Sequence, residues 1–112
     1  MLNQKYRLKK KSDFDIVFRK GQAITGRFIF LKIIKNQLDN SRFGFIVSLK
    51  VSKKAVIRNR IKRRLREIIK KKIKDIKTNY DIIILAKPEI ISKDYKEIEK
   101  EIILIFKKAS LL

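Results

Sequence analysis

Residues 50–77 read KVSKKAVIRNRIKRRLREIIKKKIKDIK, and from about Ala55 onward they have the spacing of one long amphipathic helix. Ile57, Ile61, Leu65, Ile68, Ile69, Ile73 and Ile76 recur at steps of three and four, which lays an apolar stripe along one side. Arg60, Arg63, Arg64, Arg66, Lys70, Lys71 and Lys74 fall on the other side. The stretch holds fourteen Lys or Arg against Glu67 and Asp75, so it carries +12 of the chain's +20. Exposed helices usually mix signs, because an i,i+4 Glu–Lys pair stabilises by roughly 0.2–0.5 kcal/mol. Here like charges stack instead, as in Arg60–Arg64 and Arg66–Lys70. Lys53, Lys54 and Arg58 also crowd the N-terminal end, where the macrodipole disfavours cations. Helix stability does not explain this arrangement; binding to an external polyanion does, with a merely solvated face as the competing reading.

The rest of the chain must supply a core for the apolar stripe. A single domain spanning residues 1–112 is expected, able to bury roughly 65% of its unfolded surface. A hydrophobic content of 45% argues against wholesale disorder despite the charge. The chain has no Cys, so no disulfide framework or thiolate metal site is expected, which fits a reducing, cytoplasmic setting. The opening MLNQKYRLKK lacks the apolar run of a signal peptide, and the run from Ile82 to Ala86 is too short to span a bilayer. With no His, and with no nucleophile motif or carboxylate pair, a self-contained catalytic site is not expected. Residues 81–112 balance six basic against six acidic groups, so all of the net charge lies in residues 1–80. Lys outnumbers Arg twenty-two to nine beside twenty-one Ile, a bias that an A+T-rich genome also produces.

In chain order, residues 1–11 read as an irregular basic arm. Ser12 is the expected N-cap of a helix running to Lys20 and stopping at Gly21, with Asp13 and Asp15 in its first turn. Phe14 and Phe18 share one face of it, open to either a core or a binding role. RFIFLKII, residues 27–34, alternates Phe28, Phe30 and Lys32 against Ile29, Leu31 and Ile33, as a strand does. RFGFIVSLKV, residues 42–51, alternates again, and the two read as an antiparallel hairpin with a turn at 36–41. Thr78-Asn79 ends the helical pattern, and Tyr80 to Ala86 reads as a central strand closed by Lys87-Pro88. A last helix over about Lys93–Ala109 would bury Ile98, Ile102, Ile105, Phe106 and Ala109, with Glu97, Glu99, Lys100 and Glu101 toward water. The fold class is therefore α/β of the α+β kind, one sheet with helices packed on it.

VSLKVSKKAVIRNRIKRRLRE, residues 47–67, resembles the signature of the bacterial ribonuclease P protein family. Its RNRxKRxxRE core is matched by Arg58, Asn59, Arg60, Lys62, Arg63, Arg66 and Glu67. RLKKKSDFDIVFRKG, residues 7–21, is similar to the family's RLxxxxDFxxVFxxG, and the resemblance extends over nearly the whole chain. It implies a two-layer sandwich of order α-β-β-β-α-β-α. The strands on either side of the basic helix would be parallel neighbours joined by a left-handed crossover, against the usual hand. It also implies a non-catalytic subunit of an endoribonuclease. The partners would be a catalytic RNA, one per monomeric protein, and precursor tRNA, whose 5′ leader is removed. The cofactor would be Mg2+ held mainly by the RNA.

Carried onto this chain, the resemblance assigns Lys53, Lys54, Arg58, Asn59, Arg60, Lys62, Arg63 and Arg66 to the catalytic RNA. A capping or structural role for Asn59 stays open. It assigns Phe14, Phe18, Phe28, Phe30, Lys32 and Lys50 to the single-stranded leader, since rings stack on bases and lysines meet phosphates. The chain departs from many members in having Lys53-Lys54 where they carry Gly-Asn, Lys32 where Tyr or a small residue is common, and Leu49 in place of one of two lysines. Two other readings compete. A general RNA-binding or ribosomal protein predicts the same basic helix but not the aromatic face. A membrane-surface helix would need Trp or Phe on its apolar side, which has none.

Overall fold

A computed structural model describes residues 2–112. Helix α1 spans Lys11–Lys20, followed by strands β1 (Gln22–Thr25), β2 (Ile29–Lys35) and β3 (Arg42–Ile46). Helix α2, Ala55–Lys72, leads into β4 (Tyr80–Ala86) and then α3 (Tyr95–Lys108). Short 3-10 turns at Gln4–Tyr6 and Pro88–Ser92 precede α1 and α3. The sheet order is β1-β2-β4-β3. Antiparallel pairing joins β1 to β2 and β2 to β4, whereas β3 runs parallel to β4.

That order corrects the hairpin expected from residues 27–34 and 42–51. The hairpin partner of β2 is β1, QAIT, four residues too short and too polar to announce itself as a strand. β4 inserts between β2 and β3 because its run of Ile82, Ile83 and Ile84 is buried on both faces, as only a central strand can be. The parallel β3–β4 pair, with α2 as its connection, matches the family expectation.

Two layers of apolar packing flank the sheet. On one face Ile29, Leu31 and Ile33 of β2 join Ile82 and Ile84 of β4, Phe43 of β3, and the stripes of α2 and α3. Ile61, Leu65, Ile68 and Ile69 are the buried part of α2. Ile76 lies beyond the helix end but is still buried, and Lys77 N donates to Leu111 O at 2.9 Å, fastening the C-terminus there. On the opposite face α1 packs Val17 with Leu8 and Ile83, and Phe14, Ile34 and Ile46 adjoin them. α1 thus adds a partial third layer over part of the sheet.

Three local expectations change. α1 begins at Lys11 with Lys10 in the cap position and no side-chain cap, so Ser12 lies inside the first turn. The arm before it is not loose: Leu2 and Leu8 are buried, and Leu8 N donates to Phe43 O at 2.9 Å along the outer edge of β3. Glu101 does not face water. It is 6% exposed and accepts from the Arg27 and Phe28 amides at 2.5 and 3.1 Å, holding the β1–β2 turn against α3. At that turn a Cβ on Gly26 would stand 2.8 Å from the Ile29 carbonyl oxygen and 2.6 Å from the Glu101 carboxylate, so a larger residue would force the backbone to shift. The start of α3 is fixed by a capping box, with Asp94 accepting from the Glu97 amide at 2.8 Å.

Candidate nucleic-acid interface

α2 lies on the β3 side of the main core, with α3 along its other flank, and this sorts its cations into three groups. On the β3 flank the Arg66 guanidinium sits 5.8 Å from the centre of the Phe45 ring. Burial, and then repulsion from Arg7, lower its pKa from the usual arginine value. Arg58 donates to Ser52 O at 2.9 Å and so ties the loop after β3 to the second half-turn of the helix. On the α3 flank Lys71 is taken up by Glu99 at 3.4 Å and by the Tyr95 ring at 4.9 Å. Outward, Lys53, Lys54, Asn59, Arg60, Arg63, Lys70 and Lys74 are exposed, while Lys62 and Arg64 are half-buried.

The sequence wheel set Lys71 among the outward cations and could not separate it from Lys70, because the neighbour that claims it comes from another element. Asn59 is not a cap. The helix starts at Ala55, and Asn59 is exposed on its second turn.

The second surface is the sheet face that α1 covers in part. The strand registers place Thr25, Phe30, Leu85 and Ile46 in one row across that face, and Ala23, Lys32, Ile83 and Gly44 in the next. α1 sits over the second row. The Phe14 ring presses on Gly44, where an added Cβ would come within 2.6 Å of it. The first row stays half-open, with Phe30, Leu85 and Ile46 partly exposed and Phe18 38% exposed. Lys32 donates to Phe18 O at 3.2 Å and Gly21 O at 3.5 Å, bridging the sheet to the end of α1.

Of the residues assigned to the leader, the structure gathers Phe14, Phe30 and Lys32 around this face, while Phe18 is exposed on α1 and is tied to the sheet through its carbonyl alone. Phe28 is elsewhere. It lies in the turn before β2, so strand alternation does not reach it, and its ring is 6% exposed within the main core, with Lys93 5.5 Å from its centre. Lys50 is exposed in a turn after β3, which ends at Ile46 rather than at residue 51. Leu85 and Ile46 were not singled out by sequence. Only the register, which sets them beside Phe30, reveals them.

Sequence also missed the group that holds α1 in place. Arg42 donates to both oxygens of Asp81, at 2.9 and 2.7 Å, and to Asp13 of α1 at 3.3 Å. Asn36 supplies a further donor to Asp81 at 2.9 Å. The Asp81 hydrogen bond, opposed by burial, raises the Arg42 pKa. A bidentate guanidinium–carboxylate pair fixes direction as well as distance. Among the described residues no three His, Cys, Asp or Glu side chains come together to hold a metal ion, and no helix is long and apolar enough to cross a membrane.

The family model described as Ribonuclease P matches residues 2–110. The ribonuclease P protein component of Syntrophomonas wolfei is 41% identical over 111 residues, 99% of this chain and 92% of the relative. That of Fusobacterium nucleatum is 43% identical over 109 residues, 94% of this chain and 97% of the relative. Among solved structures, a Staphylococcus aureus RNase P protein mutant with defective mRNA degradation activity superposes with a TM-score of 0.91 at 31% identity, covering 97% and 92% of the two chains. The RNase P protein of Thermotoga maritima superposes with a TM-score of 0.84 at 26% identity, covering 91% and 96%.

Proposed function

The chain belongs to the ribonuclease P protein family and is a subunit of the endoribonuclease that matures the 5′ end of tRNA, and from that premise we propose how its two surfaces divide the work. The outward cations of α2, with Lys53 and Lys54 before it, dock on phosphates of the catalytic RNA. The row of Phe30, Leu85 and Ile46, with Lys32 in the next row and Phe18 exposed on the adjoining α1, receives the single-stranded leader of precursor tRNA. The observation that carries this reading is the half-open aromatic and aliphatic row beside α1. Ile46 also adjoins the Val17 cluster, but Phe30 and Leu85 belong to neither packed cluster, and stacked bases would cover them. Phe14 packs on Gly44 and is only partly exposed.

Among the described residues no three carboxylates come together to hold a metal ion; we assign Mg2+ to the RNA, where it would supply the hydrolytic chemistry. The protein's own contribution is charge neutralisation and grip. We take one protein monomer to act with one RNA, in the cytoplasm. Adding the protein to a bacterial ribonuclease P RNA should lower the magnesium concentration needed to cleave precursor tRNA. An unchanged magnesium requirement would remove the basis for both surfaces.

A further inference from the structure

Glu67 is an anomaly on the face assigned to RNA. It is exposed in the fourth turn of α2, where every near neighbour on the helix is a cation: Arg63 and Arg64 before it, Lys70 and Lys71 after it. The ordinary role of such a residue is an i,i+4 pair, and Glu67 to Lys71 has the favourable orientation. The structure gives Lys71 to Glu99 and Tyr95 instead. Among the described residues Glu67 makes no ion pair and no side-chain hydrogen bond. An unpaired carboxylate directed at phosphates opposes binding. A partner other than phosphate would account for a carboxylate at this place.

Glu67 lines a recess of about 330 Å³ together with Asn59, Arg63 and Arg66, at the lower end of the range of small-ligand clefts. Arg66 is steadied there by the Phe45 ring. The recess thus combines an acceptor-only group, an amide that can donate and accept, and two guanidinium donors. Phosphate needs only the donors. A base edge needs both kinds, and the edge that best suits a carboxylate carries two adjacent N–H donors, N1–H and the N2 amino group of guanine. Arginine complements the same base at O6 and N7. Such an edge is open only in an unpaired nucleotide.

We infer that the Asn59–Arg63–Arg66–Glu67 recess reads one unpaired guanine of the catalytic RNA, with Glu67 as its specificity-determining acceptor. This rests on the docking of α2 on that RNA and adds a sequence-reading contact to a surface otherwise made for phosphates.

The sign of one substitution tests it. If α2 meets only phosphates, Glu67→Gln removes a repulsive charge and should tighten binding to any RNA. If Glu67 reads guanine, Glu67→Gln and Glu67→Ala should weaken binding to a bacterial ribonuclease P RNA about five- to a hundred-fold. Binding to an unrelated structured RNA of equal length should stay the same or tighten. The dependence of log affinity on log salt should not flatten, since no phosphate contact is lost. Kethoxal attacks N1 and N2 of unpaired guanine, so one guanine should be protected by the wild-type protein and reactive with either variant. Gln and Ala are both good helix formers, so the fold is kept. Arg60→Ala, at a position exposed on α2 outside the recess, serves as the control for docking itself. Weakened binding and a flatter salt slope for Arg60→Ala, with no weakening for either Glu67 variant, overturn the guanine contact alone. No effect from Arg60→Ala on affinity or slope overturns the docking as well.

Discussion

Phe28 and Phe30 stand two positions apart and do opposite things, and their substitutions should separate cleanly. Phe30 is half-exposed in the row beside α1, so Phe30→Leu keeps most of the apolar volume and should cost about 1 kcal/mol of stability. A base stacked on a ring is worth roughly 1–3 kcal/mol. Reconstituted enzyme with Phe30→Leu or Phe18→Leu should therefore bind leader-bearing tRNA about five- to a hundred-fold more weakly, with mature tRNA unchanged. Equal loss for both tRNAs would make these rings packing residues. Phe28→Ala should instead lower the stability measured by urea unfolding by about 3–5 kcal/mol, because the ring is in the main core. Glu101→Ala belongs to the same scale. It would leave the Arg27 and Phe28 amides without their acceptor and should cost about 2–4 kcal/mol in the same assay.

At the scale of elements, α1 and α2 are held by different means and should respond to different changes. The first turn of α1 is tied to β3 through Asp13 and Arg42, both only partly shielded, so the ion pair itself is worth about 0.2–1 kcal/mol. Its consequence is positional. Asp13→Ala should raise hydrogen exchange in α1 and weaken leader binding a few-fold, with affinity for the catalytic RNA unchanged; no change in α1 protection would show that packing alone seats the helix. For α2 the expectation is a salt slope. If about five to seven cations meet phosphates, log affinity for the catalytic RNA should fall with log salt at a slope of about −4 to −6. Arg63→Ala should flatten it by roughly one unit, as expected for a lost phosphate contact. Lys71→Ala should not, since Glu99 and Tyr95 already hold that side chain. A Lys71→Ala slope as flat as that of Arg63→Ala would mean that α3 releases Lys71 to the RNA.

Across the whole molecule the charge is polarised, with residues 1–80 carrying the full +20 and residues 81–112 balanced. The polarity and the donor chemistry fit the proposed role as a partner of a catalytic RNA. RNA-free protein should leave precursor tRNA intact, and cleavage by such a preparation would contradict that assignment. Neutralising lysines on the water-facing side of α3, as in Lys96→Ala or Lys100→Ala, should leave RNA affinity within about two-fold, the range expected where no phosphate is met. A loss as large as that from Arg63→Ala would extend the RNA surface to α3.

What was legible in the sequence alone followed from local rules. Helical periodicity located α2 and its stripe, the alternation and the Lys87-Pro88 stop located β2 and β4, and the RNRxKRxxRE and RLxxxxDFxxVFxxG spacings carried the family. Local rules cannot state which strand lies beside which, because pairing depends on burial across the finished sheet. β4, rather than β3, took the place beside β2 since its isoleucines needed cover on both faces. From that one choice come the row of Phe30, Leu85 and Ile46 and the Arg42–Asp81 pair on neighbouring parallel strands. Glu101 and Lys71 show the same limit on helices. Each looks solvated on its own wheel, and each is claimed by a partner far along the chain, a backbone turn 73 or 74 residues away for Glu101 and a carboxylate 28 residues away for Lys71. Sequence fixed the local conformation and the chemistry of each face; long-range burial and pairing fixed which faces meet.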